Sequence, residues 1–170
     1  MRKGEKGILA AIAVFVVLFT VINMYRQNQD KSPDEGIPFY TTASRELQDS
    51  GAQLIRDLEC RKCHTLWGIS DPMQSVPSPS LDGIGALYDE EWFYNYLSAA
   101  DPQTIVPSRL KAEYQMPSYS TLPEIERRLL AEYLSHLKVK EWYLPEVRKT
   151  EYEKLTGKEY TDGDERADQQ

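Results

Sequence analysis

A chain of 170 residues holds one modest domain plus appendages. Its formal net charge is −7, and −9 once Arg2, Lys3, Glu5 and Lys6 are set aside with residues 1–25. That excess of acid argues against a nucleic-acid partner and allows a basic docking partner, although solubility alone explains it as well.

The N-terminal residues 1–7 are polar and basic, and Ile8 to Ile22 holds fourteen apolar residues and one Thr. Counted to Tyr25 the segment has 18 residues, about 27 Å of helix, the short end of a membrane span. A cleaved signal peptide is the rival reading. No small-x-small cleavage site follows, so residues 1–25 are expected to be an uncleaved signal anchor. Arg2, Lys3 and Lys6 before the segment place the N-terminus in the cytoplasm and the rest outside. In a bacterium this is the inner membrane with the remainder in the periplasm. Residues 26–43 carry Pro33, Gly36 and Pro38 and are expected to be a linker with a span of roughly 20–25 Å if flexible.

Ser44 can cap a helix running to Leu58, with Leu47, Leu54, Ile55 and Leu58 on one face. Gly51 lies on that face, where a small residue lets another helix cross closely. The helix leads straight into Cys60-Arg61-Lys62-Cys63-His64. Two cysteines separated by two residues and followed by histidine form the attachment signature of a c-type haem. Two thiols add across the two vinyl groups, and the next imidazole reaches the iron. A structural zinc site wants four nitrogen or sulfur ligands. This chain has two Cys and two His, with His136 far from His64, so the usual paired spacing is absent. A thioredoxin-like dithiol remains possible, but it should follow a strand in a βαβ unit, and none is evident. Both cysteines belong to this motif, so no disulfide framework is available.

Residues 64–89 are loop-like, rich in Pro, Gly and Ser. Asp89 to Ala99 is expected to be a helix, with acidic residues at its positive end and Trp92, Phe93, Tyr96 and Leu97 as its stripe. Thr121-Leu122-Pro123-Glu124 reads as a capping box, opening a helix to about Lys138. In the extension 139–170, Trp142, Tyr143, Leu144 and Pro145 can fold back on the domain, and residues 161–170 are expected to be disordered. No internal repeat and no strand is expected.

A six-coordinate haem needs a second axial ligand. Met116 precedes a helix and is followed by Pro117, which stiffens the loop; a thioether opposite histidine raises the potential. Met73, close after His64, and His136, late in a helix, are the alternatives, as is an open position. The eleven Tyr and three Trp fit burial against a flat cofactor or a partner without specifying either.

The haem motif, Pro79-Ser80-Leu81-Asp82-Gly83-Ile84-Gly85, Met116-Pro117 and Leu129-Leu130-Ala131-Glu132-Tyr133-Leu134 together resemble class I cytochrome c over about residues 44–138. The resemblance implies an all-α fold of about three to five helices around one covalent haem. It implies that the Pro79 carbonyl accepts a hydrogen bond from the His64 ring, and that the first and last helices cross near Gly51 and Tyr133. The family commonly has Gly before that proline, where this chain has Ser78. A narrower likeness runs from Tyr88-Asp89-Glu90-Glu91-Trp92 through Asp101-Pro102 and Val106-Pro107-Ser108 to Met116-Pro117-Ser118-Tyr119. It is similar to the membrane-anchored mono-haem subunit of bacterial C-family respiratory oxidases, although this chain lacks much of that subunit's length. The expectation is a one-electron carrier, not an enzyme, with Cys60, Cys63, His64 and Met116 holding haem c. Trp67, Trp92 and Tyr119 are expected to lower the dielectric around it. Its partners are expected to be the membrane and the subunits of a respiratory complex or another redox protein. A tethered shuttle and a small haem peroxidase or sensor are the alternatives, with a haem-free tethered protein a third.

Overall fold

The computed structural model describes residues 12, 14–21, 36–73 and 76–161. Most of the expected anchor 1–25, the start of the linker 26–43 and the expected disorder of 162–170 lie outside the described residues. The described residues of that stretch, 12 and 14–21, are helical. Phe15 and Phe19 stack one turn apart, with centroids 6.3 Å apart, and the Thr20 hydroxyl donates to the Val16 carbonyl at 2.7 Å. No described helix is long and apolar enough to cross a membrane.

Residues from Pro38 onward form a separate compact unit, mostly helical with one small strand pair. Strands β1 (Phe39–Thr41) and β2 (Leu137–Val139) are antiparallel, with Tyr40 opposite Lys138. Two further backbone bonds extend the ladder, Thr42 N–H to His136 O (3.1 Å) and Lys140 N–H to Pro38 O (2.9 Å). No strand was expected. Three residues are too few to display a period of two, and β1 falls at the end of the stretch expected to be linker.

Helix α1 (Arg45–Asp57) starts as expected, with the Ser44 hydroxyl accepting from Leu47 N–H. Helix α2 (Glu90–Ser98) starts on Asp89, whose carboxylate accepts from Trp92 N–H at 2.8 Å. Helix α3 (Glu124–Ser135) departs from expectation at both ends. Thr121 does not cap it. The chain turns over Tyr119–Leu122 and Pro123 takes the cap position, its carbonyl accepting from Glu126 at 3.1 Å. Glu124 therefore lies in the first turn and pairs with Arg128 at 2.8 Å. At the other end the helix stops short of Lys138, because residues 137–139 are taken by the strand pair. Helix α4 (Leu144–Thr156) carries a proline in its first turn and closes on left-handed Gly157. The extension does fold back: Tyr143 meets Phe39 edge-on at 5.4 Å, and Val147 is buried.

The core is Ile55 of α1, Phe93 and Leu97 of α2, and Leu130, Ala131, Tyr133 and Leu134 of α3, joined by Leu66, Ile84 and Leu137. Helices α1 and α3 cross at Gly51, where an added Cβ would stand 2.6–2.7 Å from the Cδ2 and Cβ of Tyr133. A similar approach at Gly85 puts the turn 84–86 on the end of α3, 2.6 Å from such a Cβ to the Leu134 carbonyl.

Candidate functional site

The end of α1 sets the geometry. Glu59 adopts a left-handed conformation (φ 56°), and the chain coils into a short turn over Cys60–Lys62. The Cys60 carbonyl accepts from both Cys63 N–H (3.2 Å) and His64 N–H (2.9 Å). The two thiols and the imidazole are thus carried on one tight coil rather than a mobile loop.

His64 is braced from the next segment. Its Nδ1 lies 2.7 Å from the Pro79 carbonyl oxygen. An amide carbonyl can only accept, so the proton is on Nδ1 and Nε2 is the free nitrogen. Burial pushes the ring below its ordinary pKa, against the Pro79 bond, and keeps it neutral. A neutral ring with Nδ1 engaged is the state a metal ligand needs. Both ends of the brace are fixed by Asp82, which is buried. Its carboxylate accepts from the N–H groups of Trp67 and Gly68 and from the Ser80 hydroxyl. Leu81 N–H adds a bond to the Thr65 carbonyl at 2.9 Å. Ser78, where the resembled family has Gly, is not in the left-handed region, so the turn here does not need glycine.

These residues open on a cavity of about 320 Å³. Cys60, Cys63, His64, Pro79 and Met116, all singled out from the sequence, line it together. The Met116 loop is held twice: Gln103 Nε2 donates to the Met116 carbonyl at 3.2 Å, and the Ser118 hydroxyl donates to the Ala99 carbonyl at 2.7 Å. Trp92 and Tyr119 line the cavity as expected, whereas Trp67 does not. Trp67 has a left-handed backbone (φ 58°), and its side chain is hydrogen-bonded to that of Tyr133. Met73 is exposed outside the cavity. His136 is engaged elsewhere, with Nδ1 2.6 Å from the Thr42 hydroxyl.

The sequence reading missed several wall residues. Tyr88 and Tyr96 flank the expected Trp92 in a continuous stack, with centroid separations of 3.9 and 5.1 Å. Gln103 positions Met116. Helix α4 contributes Glu151, Lys154 and Leu155. Nothing in the local sequence of α4 marks these as cavity residues, since the contact depends on the fold-back of the extension.

Burial pushes the Cys60 thiol up to about 11, with a hydrogen bond from Tyr119 pulling the other way. A reactive dithiol needs the opposite, a thiolate stabilised near or below neutral pH. Among the described residues no group of three or more His, Cys, Asp or Glu gathers as a metal cluster. The donor set present (two thiols, an oriented imidazole, a thioether and aromatic walls) fits a covalently attached haem. No family model, curated protein or solved structure matches this chain.

Proposed function

We propose that this chain is a membrane-anchored, mono-haem c-type cytochrome with a class I cytochrome c fold, passing single electrons to or within a respiratory membrane complex. Cys60 and Cys63 would hold the haem through two thioether bonds, and His64 Nε2 and the Met116 sulfur would ligate its iron. The bound group supplies a one-electron iron couple. The protein holds it in place, excludes water and sets its potential through the thioether and the apolar surroundings. The carrying observation is the convergence of both thiols, an Nδ1-anchored neutral His64 and a tethered Met116 on one cavity. The anchor and a periplasmic haem domain follow from the apolar run at 8–22 and the basic residues before it.

One observation favours a second reading, a tethered shuttle independent of any complex. An extension beyond the haem domain argues for a fixed subunit only where its purpose is to meet a partner. Here α4 walls this chain's own cavity, so no partner is required to explain it.

The test is a mass and a reduced-minus-oxidised absorption spectrum of the full chain, made in a host that attaches haem. The expected result is the mass of one added haem and a low-spin spectrum. In Met116→Ala the low-spin spectrum should be lost. A colourless product at the bare polypeptide mass refutes the reading. Haem-loaded protein whose spectrum is unchanged in Met116→Ala refutes the ligand assignment and favours an open-site haem protein.

A further inference from the structure

Glu151 is a carboxylate in an unusual place. It lies midway along α4 and lines both the cavity described above and a second one of about 580 Å³. The second cavity lies between residues 65–82 and α4. Its polar walls include Asp82, Ser80 and Thr150, and it reaches exposed Glu146 and Lys154 at the surface. Glu151 therefore stands between the candidate haem space and a polar route outward. The Tyr88 side chain, at the head of the aromatic stack, is hydrogen-bonded to it.

Resting on the haem reading, we propose that Glu151 is a redox-linked proton site, so that reduction of this carrier is coupled to proton uptake on that carboxylate. On reduction, a one-electron donor (a reduced metalloprotein or a quinol-oxidising complex) supplies the electron. The Glu151 carboxylate takes a proton from solvent through the second cavity and becomes the neutral acid. Oxidation by the acceptor reverses both transfers. Only an O–H bond is made or broken. The coupling is electrostatic: reduction removes one positive charge from the neighbouring cavity, which raises the proton affinity of a nearby carboxylate.

Burial pushes Glu151 up to about 7, with the Tyr88 hydrogen bond pulling it down, so it titrates in the working range. Other groups share these walls. Tyr96 is pushed up to about 12 by its own burial and by the Glu151 charge, and it stays neutral. Tyr88, Tyr114 and Tyr119 face the first cavity with the neutral His64 and the two thiols, and Tyr143 faces the second. Of the charged groups, Arg109, Glu59 and Lys62 line the first cavity, Asp82 and Glu146 the second, and Lys154 both.

The test is a mediated redox titration of the full haem-loaded chain in detergent, from about pH 5 to 9. A coupling of one pK unit shifts the reduction equilibrium tenfold, which is ~59 mV for a one-electron couple. The midpoint should fall by roughly that amount as pH rises, and Glu151→Gln should abolish the fall. Tyr88→Phe should move the sloping region to higher pH, keeping the inference testable if Glu151→Gln misfolds. A reduced-minus-oxidised infrared spectrum should show a protonated carboxyl band gained on reduction and absent in Glu151→Gln. A flat midpoint in the parent protein, or the same slope in Glu151→Gln, overturns the inference while leaving the haem reading intact. A product without haem overturns both, and its mass distinguishes that case.

Discussion

Replacing Gly51 by alanine tests the helix crossing on which the cavity depends. In an exposed helix the change stabilises by about 1 kcal/mol, because glycine has the greater backbone freedom to lose. Here the new Cβ would stand 2.6–2.7 Å from Tyr133 Cδ2 and Cβ, where ordinary van der Waals contact begins at 3.4 Å. The overlap includes the stem of the side chain, so rotating the ring does not relieve it. The Tyr133 Cγ is closer still, so helices α1 and α3 must instead separate by roughly 1 Å, a gap that forfeits up to about half of each dispersion contact across the seam. Overpacking of this kind costs about 3 kcal/mol. Net of the helix gain, Gly51→Ala should destabilise by about 2 kcal/mol and lower Tm by about 8 °C. The measurement is thermal and urea denaturation followed by circular dichroism, with the urea slope unchanged. A rise in Tm of a few degrees, as for an exposed helical glycine, would refute the crossing described here.

Three further outcomes are expected. Asp82→Ala removes a buried carboxylate that accepts from two backbone N–H groups and a hydroxyl, and should cost about 3 kcal/mol with a change in tryptophan fluorescence from Trp67; unchanged stability would rule out the brace. Thr121→Ala should leave the urea midpoint unchanged, whereas a capping threonine would lose about 1 kcal/mol. Glu151 gives a pH signature. Between its ordinary 4.5 and about 7 the folded chain holds a proton that the unfolded chain has released. Stability should therefore fall as pH rises across that window, by at most about 3 kcal/mol, and level off above it. Urea midpoints against pH should show this fall in the parent chain and lack it in Glu151→Gln.

The parts legible in the sequence were those written in local code. Ser44 and Asp89 announce their helices because a cap acts over three residues, and Cys60-Arg61-Lys62-Cys63-His64 is itself a contiguous device. Gly51 was legible as a small residue on an apolar face. Thr121 misled because its spacing to Glu124 fits a capping box. Pro123 stands between them and starts the helix later. The strand pair was invisible, since it joins residues nearly a hundred positions apart with three residues on each side. Glu151 and Lys154 escaped for the same reason. Their place on the cavity wall depends on α4 returning across the chain, a long-range event that no window of residues encodes.

That return also sets an order of events. Synthesis runs from the N-terminus, so residues 60–64 and then 116 emerge well before residues 144–156. A wall carried by the last helix is the last to arrive. Until then the cavity lined by Cys60 and Cys63 lacks the wall that α4 supplies. Once α4 docks, Glu151, Lys154 and Leu155 cover the same opening. The cavity is thus completed late, its last wall set by the chain's own order of appearance.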